Sequence, residues 1–279
     1  MNSQALIATG ALVRDTFREA FARKIFWGFY GLSTLMILFF LFILKIDIVE
    51  GAMATITLFG QQSRGSIDVQ RLVTQAYGAI ATFLFTWGLF IAVFASGGLV
   101  PSLLEPGRIE LLLSKPVARH HILLGRYLGN LLVISCNIAY LVLGIWIILG
   151  VKTGIWSPVF LWAIASTIFM FAVLLAIVTL AGVLFDSAAL SIMITMGIMI
   201  LSPILAQERV VMRLLSSEWS RQLWKGLYYT LPKVYDLGRM TLDVVTRKPI
   251  GDPMAIWTSA LFGIAVLSAS VWYFARRDF

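Results

Sequence analysis

Charged side chains are scarce in this chain. Only 13% of its 279 residues are Asp, Glu, Lys or Arg, whereas 59% are apolar. In soluble domains about a quarter of the residues are charged. The shortage of charge therefore excludes an ordinary soluble globular domain and indicates a protein that lies largely within a membrane.

Six stretches of the chain contain no charged residue: 25–44, 72–104, 127–151, 153–185, 187–207 and 253–275. Each can cross a bilayer once, because a membrane helix needs about 20 apolar residues, and lipid forces the backbone to satisfy its polar groups internally. We predict an all-α polytopic membrane protein of one domain, residues 1–279. Its six spans are predicted at about 25–45, 76–100, 127–150, 157–185, 188–206 and 253–275. The first is interpreted as a retained span, since an N-terminal segment with Asp15 and Glu19 precedes it.

Residues and motifs of catalytic chemistry are also missing. Cys136 is the only cysteine, which excludes an internal disulfide. His120 and His121 are the only histidines, and sequence neighbours point apart on a helix, so a metal site there is disfavoured. No phosphate-binding loop, zinc-binding H-E-x-x-H or nucleophile elbow occurs. We predict no catalytic residue, no metal, no directly bound cofactor and no ATPase activity of the chain alone. The net charge of +8 has no nucleic-acid-binding motif behind it.

Three short segments, at the two ends of the chain and between spans two and three, carry ten of the 22 basic residues. Loops rich in Lys and Arg stay in the cytoplasm, which places both termini and the bridge between spans two and three inside the cell, with the spans in the inner (plasma) membrane. The segment 207–252 is then extracytoplasmic, although it is itself rich in basic residues. The basic residues of the three segments are Arg14, Arg18, Arg23 and Lys24, then Arg108, Lys115, Arg119 and Arg126, and finally Arg276 and Arg277.

Two segments outside the spans have amphipathic patterns. In residues 1–24, apolar residues recur at helical spacing among charges, which predicts an amphipathic helix on the cytoplasmic membrane surface. In residues 207–252, a stripe of Val211, Leu215, Trp219 and Leu223 predicts one or two interfacial or partly re-entrant helices. Beyond Pro232 the segment is polar enough to lie in water.

The bridge at 101–126, which we call the elbow, has the strongest local pattern. Pro106 suits the first turn of a helix, and Pro116 ends that helix and opens the helix of span three. Within the short helix, Ile109, Leu112 and Leu113 share one face. The pattern predicts a stiff, two-faced rod joined to two membrane helices, although it is also compatible with a positively charged loop that happens to be helical.

The elbow resembles a pattern of the ABC-2 type permeases, which are the membrane subunits of ABC exporters, and especially of the group with the nitrous-oxide-reductase (multicopper enzyme) maturation permease. The basic N-terminal "REAFARKIFW" and the "YYTLP" before the last span extend the resemblance to most of the chain. The departures from the pattern are Arg108 for threonine, Ala118 for serine and Arg126 for lysine. The matching positions are Glu105, Gly107, Glu110, Leu112, Leu113, Ser114, Pro116, Val117, Arg119, Ile122, Leu123 and Gly125.

The resemblance implies that the elbow is a coupling helix that docks on a separate ATPase subunit. Two permease copies and two ATPase copies would form the exporter, with ATP and Mg bound by the ATPases, lipid around the spans and an accessory extracytoplasmic protein as an optional partner. Spans two and five are expected at the two-fold interface. The implied partner-binding residues are Glu105, Gly107, Arg108, Ile109, Glu110, Leu112, Leu113, Ser114, Pro116, Arg119, Gly125 and Arg126.

The alternative function is a nucleotide-independent secondary transporter or channel. No acidic or basic residue lies deep within any span, whereas ion-coupled carriers usually retain one there. A membrane enzyme or scaffold is a third class, disfavoured because no pair of acids or nucleophile–base set is recognisable.

The predicted orientation can be tested by labelling. A cysteine in place of Lys225, in a background where Cys136 is replaced by Ser, should react with a membrane-impermeant maleimide in intact cells, because segment 207–252 is predicted to be outside. Labelling only after lysis would reverse the orientation.

Overall fold

The structure is a computed structural model of the chain. It describes residues 24–42, 45–49, 53–58, 61–62, 67–98, 101–104, 118–207, 211–212, 217–249 and 251–277. The predicted amphipathic helix at 1–24 lies almost entirely outside these residues, as does most of the elbow.

Nine α-helices form the main body of the described residues. The second and third are joined without a break by a π-helical turn, Leu84–Gly88, and a 3₁₀ turn, Pro158–Leu161, leads into the fifth. The helices are α1 Lys24–Phe42, α2 Val69–Phe83, α3 Leu89–Ser96, α4 Arg119–Thr153, α5 Trp162–Phe185, α6 Ala188–Leu205, α7 Glu218–Thr230, α8 Val234–Val245 and α9 Met254–Arg276.

Five helical segments of the described residues are long and apolar enough to cross a membrane. They are Val73–Ser96, Arg119–Thr153, Pro158–Phe185, Ala188–Leu205 and Met254–Arg276. Their outward surface carries large apolar side chains such as Met193 and Ile264, 67% and 65% exposed. Such a surface suits lipid rather than water. These features confirm the multi-pass helical character. The apolar part of α1, Trp27–Phe42, is shorter than these five segments, so the sixth span stays a prediction.

Helix α5 is the centre of the bundle. Its apolar residues continue around the whole helix, which is the pattern of a helix enclosed by others. Met170, Phe171, Leu174 and Val178 are fully buried, and α4, α6, α8 and α9 pack around it. One end of the bundle holds the start of α4, the α5–α6 turn and the end of α9; we call it the elbow side.

Four short strands follow α1, where the sequence indicated only a loop with turn residues. Strand β1, Lys45–Val49, pairs antiparallel with β2, Met53–Leu58, in the register Lys45↔Thr57. Two-residue strands β3, Gln61–Gln62, and β4, Ile67–Asp68, both pair with β2. The all-α prediction therefore holds for the membrane body, but not for this connection. The abundance of β-branched residues, three in "KIDIV" and three in "MATITL", fits the strands.

Helix α8 packs among the spans, so the prediction that the chain beyond Pro232 lies in water is wrong. Val234, Leu237 and Val245 are buried against α2, α5 and α6. The first backbone N–H groups of a helix have no partner within it, and here the spans supply partners. The Lys233 N–H donates to Ser259 Oγ of α9 at 3.0 Å, and the Tyr235 N–H donates to Ser202 Oγ of α6 at 3.0 Å.

Close packing between α3 and α6 depends on a missing side chain at Gly97. A Cβ there would overlap with Cγ1 of Ile192 on α6. A Cβ at Gly197, another residue of α6, would meet open space. Gly97→Ala should therefore lower the free energy of unfolding by about 1–3 kcal/mol through overpacking. Gly197→Ala is the matched control and should not destabilise, since alanine favours a helix.

Thermal unfolding of the purified variants in detergent measures both effects. Adding Ile192→Ala to Gly97→Ala should recover part of the lost stability, because it removes the atoms that overlap. Equal unfolding temperatures of the two glycine variants would contradict this packing.

Candidate functional site

Most of the predicted partner-binding residues lie outside the described residues. These are Glu105, Gly107, Arg108, Ile109, Glu110, Leu112, Leu113, Ser114 and Pro116. Their assignment to a partner surface stays a prediction. The structure does describe both ends of the elbow, at 101–104 and 118–126, together with the elements on which these ends rest.

The helix of span three begins after Pro116, where the sequence predicted its start, but well before residue 127, where the span itself was predicted to begin. Ala118 has an extended backbone, with φ −65° and ψ 138°, and Arg119 is the first helical residue of α4. Pro116 therefore does not open this helix. The helix is also continuous from Arg119 to Thr153, so the last eight elbow residues, 119–126, are its first two turns. A displacement of the elbow at Arg119 is thus applied directly to a 35-residue helix.

Both described ends of the elbow pack on the same small apolar cluster, which we call the elbow anchor. It consists of Leu103, Ile122, Leu123, Val183 and Phe274, each at most 1% exposed. Leu103 comes from the incoming end, and Ile122 and Leu123 come from the outgoing helix. Val183 and Phe274 belong to α5 and α9. The anchor therefore joins the elbow to two other membrane helices.

A polar network, which we call the clasp, lies beside the anchor. The Arg277 guanidinium pairs with the Asp186 carboxylate through both of its terminal nitrogens, and Nη1 lies 2.8 Å from Oδ1. The same Nη1 donates to the Val183 carbonyl at 2.6 Å, and Arg119 Nη1 donates to the Arg277 carbonyl at 2.6 Å. The clasp thus connects the start of α4, the α5–α6 turn and the end of α9.

Backbone geometry presents Asp186 to Arg277. Asp186 has a left-handed conformation, φ 52°, and its N–H donates to the Gly182 carbonyl at 3.1 Å, which closes the C-terminus of α5. Ser187, the next residue, caps α6, and its Oγ accepts from the Leu190 N–H at 3.4 Å. The hydrogen bonds that the Arg277 guanidinium donates to the Asp186 carboxylate raise the pKa of this arginine, so it stays charged.

Two other predicted partner residues lie inside the protein. Gly125 is buried, and Arg126 is 5% exposed, on the first two turns of α4. Arg126 therefore has an intramolecular role in this arrangement, and its burial does not favour direct contact with a partner. Arg119 is partly exposed but is already engaged with the Arg277 carbonyl.

The sequence missed the clasp and a second polar cluster at the α7–α8 junction. Lys233 is 4% exposed, and its Nζ lies 4.1 Å from the centre of the Tyr228 ring. The Tyr228 hydroxyl donates to Asp236 Oδ2 at 3.0 Å. Burial lowers the pKa of Lys233, while Asp236 and Asp252 oppose the shift. The only sequence signal for this cluster was the aromatic-rich "YYTLPK". Among the described residues, no group of His, Cys, Asp and Glu could hold a metal ion.

A comparison with known protein families identifies the family of the chain. A family model described as ABC-2 family transporter protein matches residues 11–278, nearly the whole chain. The chain therefore belongs to the ABC-2 transporter family. Membership makes it a multi-pass membrane permease subunit of an ABC transporter, and it implies an ABC ATPase as partner. No curated protein matched the chain.

The clasp predicts a stability difference between neighbouring arginines. Arg277→Ala removes an ion pair and a hydrogen bond to a carbonyl, so it should lower the free energy of unfolding by about 1–2 kcal/mol. Arg276→Ala is the matched control, because the exposed Arg276 contacts, within the described part of the chain, the Trp272 ring at 4.3 Å. Its loss should be about half as large or smaller. Thermal unfolding in detergent measures both, and equal losses would contradict a role of the clasp in stability.

Proposed function

We propose that the chain is the permease of an ATP-driven exporter, and that the elbow is its coupling helix. The elbow receives movement from an ATPase subunit in the cytoplasm and passes it to the membrane helices. The observation that carries the proposal is the elbow anchor, because both described ends of the elbow pack on one cluster shared with α5 and α9.

The anchor suits the transmission of movement for a physical reason. Close-packed side chains transmit displacement, because a packed core resists compression and rearranges in discrete steps. A push on the elbow displaces Ile122 and Leu123, and these press on Val183 and Phe274. The clasp adds polar ties between the same elements. The elbow and the helices α4, α5 and α9 therefore move together.

The proposed working unit consists of two copies of this chain and two ATPase subunits. ATP and Mg are bound by the ATPases. Closure of the ATPases moves both elbows and changes access along the interface between the permeases, with spans two and five on that interface. The termini and the elbow lie in the cytoplasm. Helix α7 lies on the outer side of the inner membrane, where an accessory protein has access to it, whereas α8 packs among the spans.

The elbow pattern also supports a more specific classification of the chain within its family. The elbow pattern from Glu105 to Arg126 is similar to that of the permeases grouped with the nitrous-oxide-reductase maturation transporter. We propose that the chain belongs to this group within the ABC-2 family. The support is the pattern and its position between the second and third spans.

The proposal separates binding of the ATPase from transmission of its movement. Glu110→Ala alters the predicted docking surface and should release the ATPase that co-purifies with the chain. Arg277→Ala opens the clasp and should leave the ATPase bound. It should reduce the coupling between nucleotide state and the membrane helices about fivefold or more, since fivefold is the lower end of typical coupling between two sites. Pull-down measures binding.

Coupling can be measured with spin labels at Gln207, which is exposed at the far end of α6. In a Cys136→Ser background, the distance between the labels of two copies should change between the ATP-bound and nucleotide-free complexes. Glu110→Ala should abolish the change by losing the ATPase, and Arg277→Ala should reduce it without that loss. Arg276→Ala serves as control. Transport by the chain alone in ATP-free liposomes would instead favour the channel or secondary carrier.

A further inference from the structure

A cavity of about 440 Å³ lies between the π turn, α6 and α8. This volume falls within the range that accommodates small-molecule ligands, roughly 300–1,000 Å³. Seven of the lining residues are apolar side chains, and the rest include hydroxyl groups, a glycine and one cation. The residues that the argument uses are Thr82, Phe85, Thr86, Met199, Tyr235 and Arg239.

The cavity lies deep along the second span. A Cβ at Gly238 of α8 would be 3.0 Å from Cδ1 of Phe85, so α8 touches the helix there. Phe85 is at the midpoint of the candidate span Val73–Ser96. Arg239 follows Gly238 directly, so its backbone lies level with the middle of that helix, while its side chain lines the cavity and is exposed.

The position of Arg239 favours the binding of an anion. A basic side chain within a membrane is costly unless it faces an opposite charge or a water-filled space, and it marks a functional site by default. Among the described residues no carboxylate is within ion-pairing distance of Arg239. The acids one turn away on α8 are Asp236, which accepts from the Tyr228 hydroxyl, and Asp243.

The walls of the cavity favour a ligand with an alkyl chain. Phe85 and Met199 contribute apolar surface, and Thr82, Thr86 and Tyr235 contribute hydroxyls on the same lining as Arg239. A more open depression shares Thr82 and Thr86 with the cavity and continues along α2. Phe85 and Thr86 belong to the π turn, and such turns occur frequently at functional sites in helices.

We propose that this cavity binds an amphiphile with an acidic head group, a carboxylate or a phosphate monoester, and one alkyl chain. The head group pairs with the Arg239 guanidinium, which offers planar, bidentate donors to such anions. The chain lies against the apolar wall and leaves through the open depression. Binding does not depend on the ATPase; only the use of the site for cargo rests on the proposed export function.

Photo-crosslinking tests the site on the purified full chain in phosphatidylcholine nanodiscs. The probe is dodecyl phosphate with a terminal diazirine, and the uncharged counterpart is dodecanol with the same diazirine. Saturable labelling by the phosphate probe should map to peptides of α2, the π turn and α6. Arg239→Gln should raise the concentration of phosphate probe that gives half-maximal labelling about tenfold, as expected for the loss of one charged hydrogen-bonded pair. Arg239→Lys keeps the charge but loses the bidentate donors, so it should recover only part of the binding.

Two controls separate charge, cavity and general lipid affinity. Lys248→Gln removes an exposed basic residue outside the cavity and should leave labelling unchanged. Thr86→Trp fills the cavity and should reduce labelling by the phosphate probe. Unchanged half-saturation in Arg239→Gln, or equally strong labelling by dodecanol, would overturn the proposal.

Assays of the assembled complex distinguish the source of the ligand. Stimulation of ATP hydrolysis by dodecyl phosphate, lost in Arg239→Gln, would identify the amphiphile as cargo. Binding that depends on Arg239 without stimulation would identify a resident acidic lipid in the same site. Failure of the elbow variants to affect the ATPase would refute the proposed function but leave the labelling result intact.

Discussion

The enclosure of α5 is the constraint on which the remaining structure depends. A helix that is apolar on every side has no face to give to water, so neighbours must cover it. Helices α4, α6, α8 and α9 do so, and the Tyr127 hydroxyl of α4 donates to the Ala172 carbonyl of α5 at 2.8 Å. One end of α5 supplies Val183 to the elbow anchor. The elbow therefore rests on the most enclosed helix of the bundle.

Polar ties fasten the bundle at both ends of the spans. On the elbow side the clasp uses a guanidinium and a carboxylate, and on the opposite side the hydroxyls of Ser202 and Ser259 accept from the start of α8. Such contacts can hold membrane helices together where apolar surfaces gain nothing over lipid. The middle of the bundle combines close packing, as at Gly238 against Phe85, with a few buried hydrogen bonds, such as the one that the Ser33 hydroxyl donates to Asn137 Oδ1 at 3.0 Å.

The sequence predicted the helical membrane body well because lipid imposes a strict rule: a long stretch without charge must be a helix. It failed where local pattern and tertiary position diverge. The polar and apolar residues of α8 look like those of a surface helix, and only its contacts show that it lies among the spans. Asp186 and Arg277 are 91 residues apart, so neither indicated the other. Pro116 suggested a helix start, but the extended backbone of Ala118 sets it at Arg119.

The π turn at Leu84–Gly88 also keeps both halves of the second span in phase. Tyr77 and Ser96 are both buried, 19 residues apart in sequence. At about 100° per residue, a regular helix would rotate Ser96 some 100° away from the face of Tyr77. A π turn accommodates one additional residue, so the two positions differ by five whole turns and share an azimuth. A homologue lacking one residue there could wind uniformly and still bury the same stripe, at the cost of the widened coil that borders the cavity.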